Sequence, residues 1–233
     1  MKVNTPTIGA VAATLLSHTV LANPIPGTSP NPLARRSNSG EATFYGGNLN
    51  GGMCSFSGYT LPSGIYGTAL SDSNWATAGN CGACVKVTRG GTSLTAMVVD
   101  QCPGCGTNHL DLFQDAFLNL GTATEGIIPV TWEYVKCGIT TPITLKNKEG
   151  TSAYWFSMQV MNANERVKSL QVSTDGGSTW KDTTRTEYNY FENSSGFGTD
   201  TVAIKVTGVS GATIITKDVK VSGGVTKQAA SNF

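Results

Sequence analysis

The 233-residue sequence has no run of 18 apolar residues after its N-terminus, so no membrane-spanning helix and no membrane partner are expected. Charged residues make up only 13% of the chain and form no basic stripe, which argues against nucleic-acid binding. A Gly-x-Ser-x-Gly motif is absent. The two histidines, His18 and His109, leave no candidate Ser/His/Asp triad, and His109 is interpreted as structural or rim-facing. No cysteine follows Cys137.

The N-terminal segment is typical of an exported protein. An apolar stretch from Ile8 to Leu21 ends at a small-residue cleavage site, so residues 1–22 are predicted to be a signal peptide. Residues 23–40 are proline-rich without hydrophobic periodicity, which predicts a disordered leader. Arg35-Arg36 is either a dibasic processing site or a plain basic pair. The sequence therefore predicts a secreted, extracellular product.

Charge and cysteine distribution divide the remaining chain into two domains. Residues 37–138 contain three basic and seven acidic residues, whereas residues 139–233 contain ten basic and eight acidic residues. All cysteines lie in the first half. We predict one domain over residues 41–138 and a second over residues 143–225, joined by a linker too short to permit much swinging.

The pattern of the first domain predicts a small β-barrel with one short helix. The helix is expected at Gln114–Leu120, where Phe117 and Leu120 have helical spacing and Gly121 ends the pattern. The strands are expected at Ala42–Tyr45, Ala83–Thr88, Leu94–Val99 and Val130–Lys136.

The second domain shows longer alternating segments that predict a β-sandwich. Asp175-Gly176-Gly177 is a hairpin signal. It belongs to a segment similar to the Asp-box of sialidases, a structural turn, in which Trp180 is expected to pack inward. The strands are expected at Trp155–Val160, Ser169–Val172, Val202–Val206, Thr213–Ile215 and Val219–Val221.

The six cysteines include two Cys-x-x-Cys pairs, which alone would suggest a four-thiolate zinc site. The export signal favours three disulfides instead, because thiols oxidise outside the cell, and a zinc site would leave two cysteines over. We expect neither a metal nor another cofactor. The cysteines are Cys54, Cys81, Cys84, Cys102, Cys105 and Cys137.

Two carboxylates inside the cysteine framework are the candidates for chemistry. Asp100 ends an apolar strand, and Asp111 lies between two leucines. An acid among apolar residues is often partly desolvated, which suits it to proton donation. The alternative is an aspartate that caps a turn through backbone amides.

The second domain contains two aromatic clusters, Tyr154-Trp155-Phe156 and Tyr188-Asn189-Tyr190-Phe191. Because neighbouring residues of a strand point to opposite faces, some of these rings are expected to point outward. Exposed rings on an exported β-sandwich suit stacking on sugar rings, whereas the others belong to the core. Asn193-Ser194-Ser195 is a glycosylation acceptor just after the second cluster.

Together these motifs resemble the expansins of microbial type from about Gly40 to Val221. The first domain resembles the six-stranded double-psi β-barrel that expansins share with a class of inverting endoglucanases. The second resembles their immunoglobulin-like, carbohydrate-binding β-sandwich. The resemblance rests on Asn80-Cys81-Gly82-Ala83-Cys84, Val98-Val99-Asp100, His109-Leu110-Asp111-Leu112, Ala42-Thr43-Phe44-Tyr45-Gly46-Gly47, Lys148-Glu149-Gly150-Thr151-Ser152-Ala153-Tyr154-Trp155 and Glu187-Tyr188-Asn189-Tyr190-Phe191.

The resemblance implies a role for each matching residue. Asp111 matches the proton donor of the related endoglucanases, Asp100 a second acid of the groove, and Thr43 and Tyr45 polar groups at its floor. Tyr154, where relatives often have Trp, matches the cellulose-binding platform together with Trp155 and Tyr188, and Lys148 matches a basic residue beside it. Cys102 replaces a groove aromatic of bacterial relatives. The implied bridges are Cys54–Cys81, Cys84–Cys137 and Cys102–Cys105.

An inverting glycosidase also needs a second carboxylate that activates water. The related endoglucanases carry it just after the Thr-x-Tyr segment, where this chain has Gly46-Gly47-Asn48. The sequence therefore predicts a monomeric, non-hydrolytic wall-loosening protein that binds cellulose or β-glucan, with xyloglucan and chitin as further candidates. The alternatives are a lytic transglycosylase using Asp111, a weak endoglucanase with Asp100 as base, and a pure binding module.

Overall fold

The computed structural model describes residues 1–2 and 37–233. The predicted signal peptide, most of the predicted leader and Arg35-Arg36 lie outside these residues. Within the described part no helix is both long and apolar enough to cross a bilayer. Residues 37–233 contain a β-barrel followed by two further β-sheets, and these pack together as one compact unit.

Six strands close into the barrel in the order β1-β5-β2-β4-β3-β6. The β1/β5 and β2/β4 pairs are parallel, and the other pairs are antiparallel. A parallel pair needs a crossover connection, and such crossovers bring residues distant in the chain side by side. The strands are β1 (Asn38–Tyr45), β2 (Ile65–Ser71), β3 (Cys84–Arg89), β4 (Thr92–Cys102), β5 (Leu110–Phe113) and β6 (Ile128–Val135).

The helix α1 spans Gln114–Leu120, the range that the sequence predicts. Its buried face consists of Ala116, Phe117 and Leu120, and the Phe117 ring lies 4.6 Å from that of Phe44 on β1. Gly121 ends the helix in an extended conformation, and its N–H donates to the Phe117 carbonyl. Apolar contacts therefore hold α1 against the barrel end at which β1 and β5 finish.

The second half folds into two sheets with a common apolar core. One sheet has the order β10-β9-β13-β14 and the other β11-β12-β8-β7-β15. Phe156, Met158, Leu170, Val172 and Ile204 are among the side chains buried between them. The strands are β7 (Thr144–Asn147), β8 (Phe156–Met161), β9 (Val167–Ser173), β10 (Lys181–Asp182), β11 (Thr184–Arg185), β12 (Phe191–Asn193), β13 (Thr201–Gly208), β14 (Thr213–Lys220) and β15 (Thr226–Gln228).

Two predicted boundaries differ from the structure. Residues 38–40, assigned to the disordered leader, begin β1, because they pair with residues 130–132 of β6 and complete the barrel. The sandwich does not finish at residue 225, since β15 pairs with β7 beyond that point. Strand pairing, rather than composition, sets both boundaries.

Two predictions within the sandwich are also wrong. The predicted strands Thr213–Ile215 and Val219–Val221 are not separate, because Thr213–Lys220 forms one strand, β14, that continues through a bulge. Trp180 is half-exposed and not part of the buried cluster, because it follows a tight turn and precedes the exposed edge strand β10. The Lys205 ammonium lies 4.6 Å from the centre of its ring. The predicted hairpin is present, with β9 and β10 paired across the turn at Asp175.

The barrel and the sandwich are joined by side-chain hydrogen bonds as well as by the linker. Arg185 donates to the Ala78 carbonyl at 2.7 Å and to the Val167 carbonyl at 2.6 Å. Burial lowers the pKa of this guanidinium to about 10. The Trp75 indole N–H donates to Glu187 at 3.1 Å. These contacts restrain the sandwich against the barrel.

Candidate functional site

The barrel register places the two predicted acids in one row. Thr43 on β1 pairs with Asp111 on β5, Asp111 pairs with Ala69 on β2, and Ala69 pairs with Asp100 on β4. Directly paired residues point to the same face of a sheet. Two strand spacings separate the backbones of Asp111 and Asp100, which corresponds to about 10 Å. The fold therefore places Thr43, Asp111 and Asp100 on one face.

A hydrogen-bond chain runs from His109 through Thr43 to Asp111. The Thr43 hydroxyl donates to Asp111 Oδ1 at 2.6 Å and lies 2.9 Å from His109 Nε2. Because this donation uses the only hydroxyl proton, His109 Nε2 must be the donor to Thr43 Oγ1. The His109 side chain is only 8% exposed. His109 is therefore a structural residue that hydrogen-bonds to Thr43, and it is not rim-facing.

Tyr45 brings a phenol to the same two acids. Its Oη is buried and has no hydrogen bond of good geometry in the part of the chain that the structure describes. Burial raises the pKa of Tyr45, and the negative charges of Asp100 and Asp111 raise it further. The phenol therefore remains protonated near neutral pH.

Asp100 holds the loop after β1 against the barrel. Its Oδ1 accepts the Met53 N–H at 2.7 Å and the Gln101 N–H at 2.8 Å. Gly52 permits this approach, because an added Cβ would lie 2.7 Å from the Val99 carbonyl oxygen and closer still to that of Asn48. Asp100 Oδ1 therefore caps backbone amides, which is the structural alternative that the sequence left open for these aspartates.

Three disulfides frame this row, and no free cysteine is found in the described residues. The bonds are Cys54–Cys81, Cys84–Cys137 and Cys102–Cys105, the pairing that the resemblance implied. The last bridge closes the turn between β4, which carries Asp100, and β5, which carries Asp111. None of the described residues form a group of three or more His, Cys, Asp or Glu side chains suited to a metal ion.

The predicted aromatic residues lie beside the five-stranded sheet, in the segments that precede β8 and β12. Tyr154 is 81% exposed, whereas Trp155 and Tyr188 are half-buried. The Lys148 ammonium lies 5.5 Å from the Trp155 ring centre, 4.6 Å from that of Tyr188 and 5.6 Å from that of Tyr190. We call Tyr154, Trp155, Tyr188 and Lys148 the aromatic platform. Lys148 makes cation–π contacts with two of its three rings, those of Trp155 and Tyr188.

A short segment of the first domain connects the acidic row with the platform. The Met53 N–H donates to Asp100, and the carbonyl of the following residue, Cys54, accepts the side-chain amides of Gln159 at 2.9 Å and Asn189 at 3.2 Å. Asn189 follows Tyr188 directly. Both sets of predicted site residues are therefore fixed to one backbone segment.

Comparison with known proteins identifies the family. "Expansin-like protein 5" of Dictyostelium discoideum is 32% identical over 180 residues, which cover 73% of this chain and 75% of that protein. The chain belongs to the expansin family. "Expansin-YoaJ" of Bacillus subtilis is 30% identical over 179 residues, covering 75% of each protein. The family model described as "Lytic transglycolase" matches residues 64–132, within the double-psi barrel.

Solved expansin structures share both halves of the fold. The Clavibacter michiganensis expansin superposes with a TM-score of 0.75 at 30% identity, covering 84% of this chain and 98% of that one. A point mutant of the same protein, solved in complex with cellohexaose, gives a TM-score of 0.76 at 30% identity and the same coverage. The predicted all-β fold, a double-psi barrel followed by a β-sandwich, is confirmed.

The sequence-based prediction missed two contacts of this expansin's site. His109 was given no role beside Asp111, because its partner Thr43 lies 66 residues earlier in the chain. Glu192 was also missed, although its Oε1 accepts both the Tyr188 hydroxyl at 2.9 Å and the Ser157 hydroxyl at 2.8 Å. A carboxylate four residues after a platform tyrosine is the signal that could have revealed it.

Proposed function

We propose that this expansin is a secreted protein that loosens polysaccharide walls by binding β-glucan chains without cutting them. The observation that carries the proposal is the acidic row of the barrel. Asp111 accepts a hydrogen bond from the Thr43 hydroxyl. In the second acid, Asp100, one carboxylate oxygen accepts hydrogen bonds from two backbone amides. The row therefore supplies hydrogen-bonding groups for a sugar chain and one acid, and the engagement of Asp100 Oδ1 with the backbone disfavours Asp100 as a water-activating base.

The aromatic platform supports binding of a glucan surface. Sugar rings present apolar C–H faces that stack on exposed aromatic rings, and burying both releases water. Tyr154 is exposed enough to provide such a face, and Trp155 and Tyr188 are held around the Lys148 ammonium. Cellulose and related β-glucans are the proposed ligands, in line with the cellohexaose complex of the Clavibacter relative.

Loosening follows if the acidic row of the barrel and the aromatic platform bind one chain together. Each local contact is weak, but contacts in parallel along a polymer add through effective concentration. Hydroxyls of a bound chain that pair with Asp111, Thr43 and Tyr45 no longer pair with a neighbouring chain. Neighbouring polysaccharide chains can then slide past each other without cleavage of a glycosidic bond. Secretion is supported by three disulfides, which persist in oxidising compartments.

The test separates binding from loosening. Purified protein is added to cellulose paper, and bound protein and breaking force are measured for the wild type, Asp111→Asn and Tyr154→Ala. We expect Asp111→Asn to bind normally but to weaken the paper little, and Tyr154→Ala to bind less. Full weakening by Asp111→Asn would indicate a pure binding module with an inert barrel and would contradict the proposal.

A second candidate, a lytic transglycosylase, is favoured by the family model matched over residues 64–132. In that reaction Asp111 would give its proton to the glycosidic oxygen. The bond between the anomeric carbon and that oxygen would break, and a hydroxyl of the sugar itself would attack the anomeric carbon. The Asp111 carboxylate would take up the proton of this hydroxyl, so that no second, water-activating base is needed. Anhydro-sugar products from peptidoglycan, lost in Asp111→Asn, would identify this activity. Reducing sugars from glucan would instead indicate an endoglucanase with Asp100 as its base.

A further inference from the structure

A shallow polar cavity of about 360 Å³ opens beside the aromatic platform. It lies at the edge of the five-stranded sheet, where β11 and β12 meet. Its volume is in the range of small-ligand sites. The lining residues are Asp182, Thr184, Thr186, Glu192, Asn193 and Ser194, and we call this cavity the branch pocket.

The branch pocket shares a wall with the platform. Glu192 lines the pocket and also accepts the Tyr188 hydroxyl through Oε1. Thr186 lines it from the turn that carries Tyr188, a turn closed by the hydrogen bond from the Thr186 N–H to the Tyr190 carbonyl at 2.8 Å. A group attached to a sugar ring that stacks on Tyr188 would therefore lie close to the branch pocket.

The lining chemistry fits an uncharged polyhydroxylated group. Hydroxyls of Thr184 and Ser194 stand with the carboxylates of Glu192 and Asp182, and no basic residue is among the lining residues. Carboxylates accept hydrogen bonds from sugar hydroxyls, and such charge-assisted bonds are stronger than neutral ones. An acidic sugar would bring a further negative charge beside Glu192 and Asp182 and would be disfavoured.

We propose that the branch pocket binds a neutral sugar branch of a β-glucan whose backbone lies on the aromatic platform. This inference rests on the proposed function and adds to it a preference for branched over linear chains. The proposal applies to protein that carries no N-linked glycan on Asn193. A glycan on Asn193, the residue of the predicted sequon, would grow from the pocket wall and compete with the branch.

The test uses two soluble ligands with the same backbone. Binding of cellotetraose and of the xyloglucan oligosaccharide built on cellotetraose is measured calorimetrically, with full-length protein produced without N-glycosylation. We expect the branched ligand to bind about fivefold to tenfold more tightly, as one or two additional hydrogen bonds allow. A xylo-oligosaccharide with a glucuronic acid branch is expected to gain nothing over its linear counterpart.

Ser194→Trp and, separately, Thr184→Trp fill the pocket from its two sides without altering Glu192. Both are expected to bring the ratio of the two affinities to about one while leaving cellotetraose binding unchanged. Thr213→Trp, at an exposed position of β14, is the matched control and should keep the wild-type ratio. Melting temperatures establish that each variant is folded.

The outcomes separate this inference from the proposed function. Equal binding of both ligands by the wild type, or an unchanged ratio in the two pocket variants, would overturn the branch pocket and leave the platform intact. Binding of neither ligand by folded wild-type protein would overturn the proposed function, and the pocket proposal with it.

Discussion

Replacing Thr43 by valine removes the hydroxyl that joins His109 to Asp111 and keeps the shape of the side chain. The lost hydrogen bond to a carboxylate contributes roughly 1.5–3 kcal/mol, and an unsatisfied buried donor costs roughly 1–3 kcal/mol. Asp111 is half-exposed and regains water, whereas His109 Nε2 is buried and regains little. We therefore expect Thr43→Val to lower the free energy of unfolding by about 2–3 kcal/mol.

For a chain of this length, such a loss lowers the melting temperature by about 4–12 °C. Circular dichroism at neutral pH measures it, and Thr131→Val on the exposed side of β6 is the control, with a change of at most about 0.5 kcal/mol. Because Thr43 acts partly through Asp111, adding Asp111→Asn to Thr43→Val should cost less than the sum of the two changes. An unchanged melting temperature in Thr43→Val would refute the hydrogen-bond chain.

Three further predictions concern the surface, acid stability and the disulfides. Tyr154→Ala should weaken cellulose binding about fivefold to tenfold with no change in melting temperature, because the ring is 81% exposed; unchanged binding isotherms would remove Tyr154 from the platform. Hydrogen bonds, the largest from Arg89, lower the pKa of Glu125 to about 2. The resulting stability is present above the ordinary glutamate pKa of about 4.3 and is lost as the pH falls toward 2. Arg89→Met should therefore flatten the decline in melting temperature over that range, and parallel curves for the two proteins would contradict this. The Cys84–Cys137 bridge spans 53 residues, so the double alanine variant should lose about 4 kcal/mol of unfolding free energy by chain entropy; a loss below about 1 kcal/mol in chemical denaturation would argue against it.

The sequence predicted α1 and most long strands correctly, but it missed β2. Gly67 lies in the middle of this strand, and a glycine there normally weakens a strand prediction. In the structure the Phe113 ring occupies the space where a Cβ of residue 67 would lie. The signal for β2 is therefore a contact with β5, 46 residues later, which no local pattern reveals.

β14 was predicted as two pieces for a related reason. The polar pair Lys217-Asp218 interrupts the alternation, and polar pairs of this kind are typical of turns. The structure accommodates them as a bulge, with Asp218 at φ +54°, while pairing to β13 continues on both sides. Only the partner strand distinguishes a bulge from a turn at this place.

The candidate site was also predicted only where its residues form local sequence motifs. Asp100, Asp111 and the cysteines stand in compact motifs, so the sequence alone singled them out. The support of Asp111 by His109 depends on the parallel register of β1 and β5, and that register follows from closure of the barrel. The neighbourhood of Glu192 and Tyr188 likewise depends on how β12 returns beside β8.

The central claim is that the protein binds β-glucan without cutting it. The most direct test measures reducing ends and chain length of amorphous cellulose and mixed-linkage glucan incubated with purified protein, on samples in which bound protein is quantified. The account predicts saturable binding with no new reducing ends and no shortening of chains. Release of reducing ends that Asp111→Asn abolishes would contradict it and would identify a glycosidase.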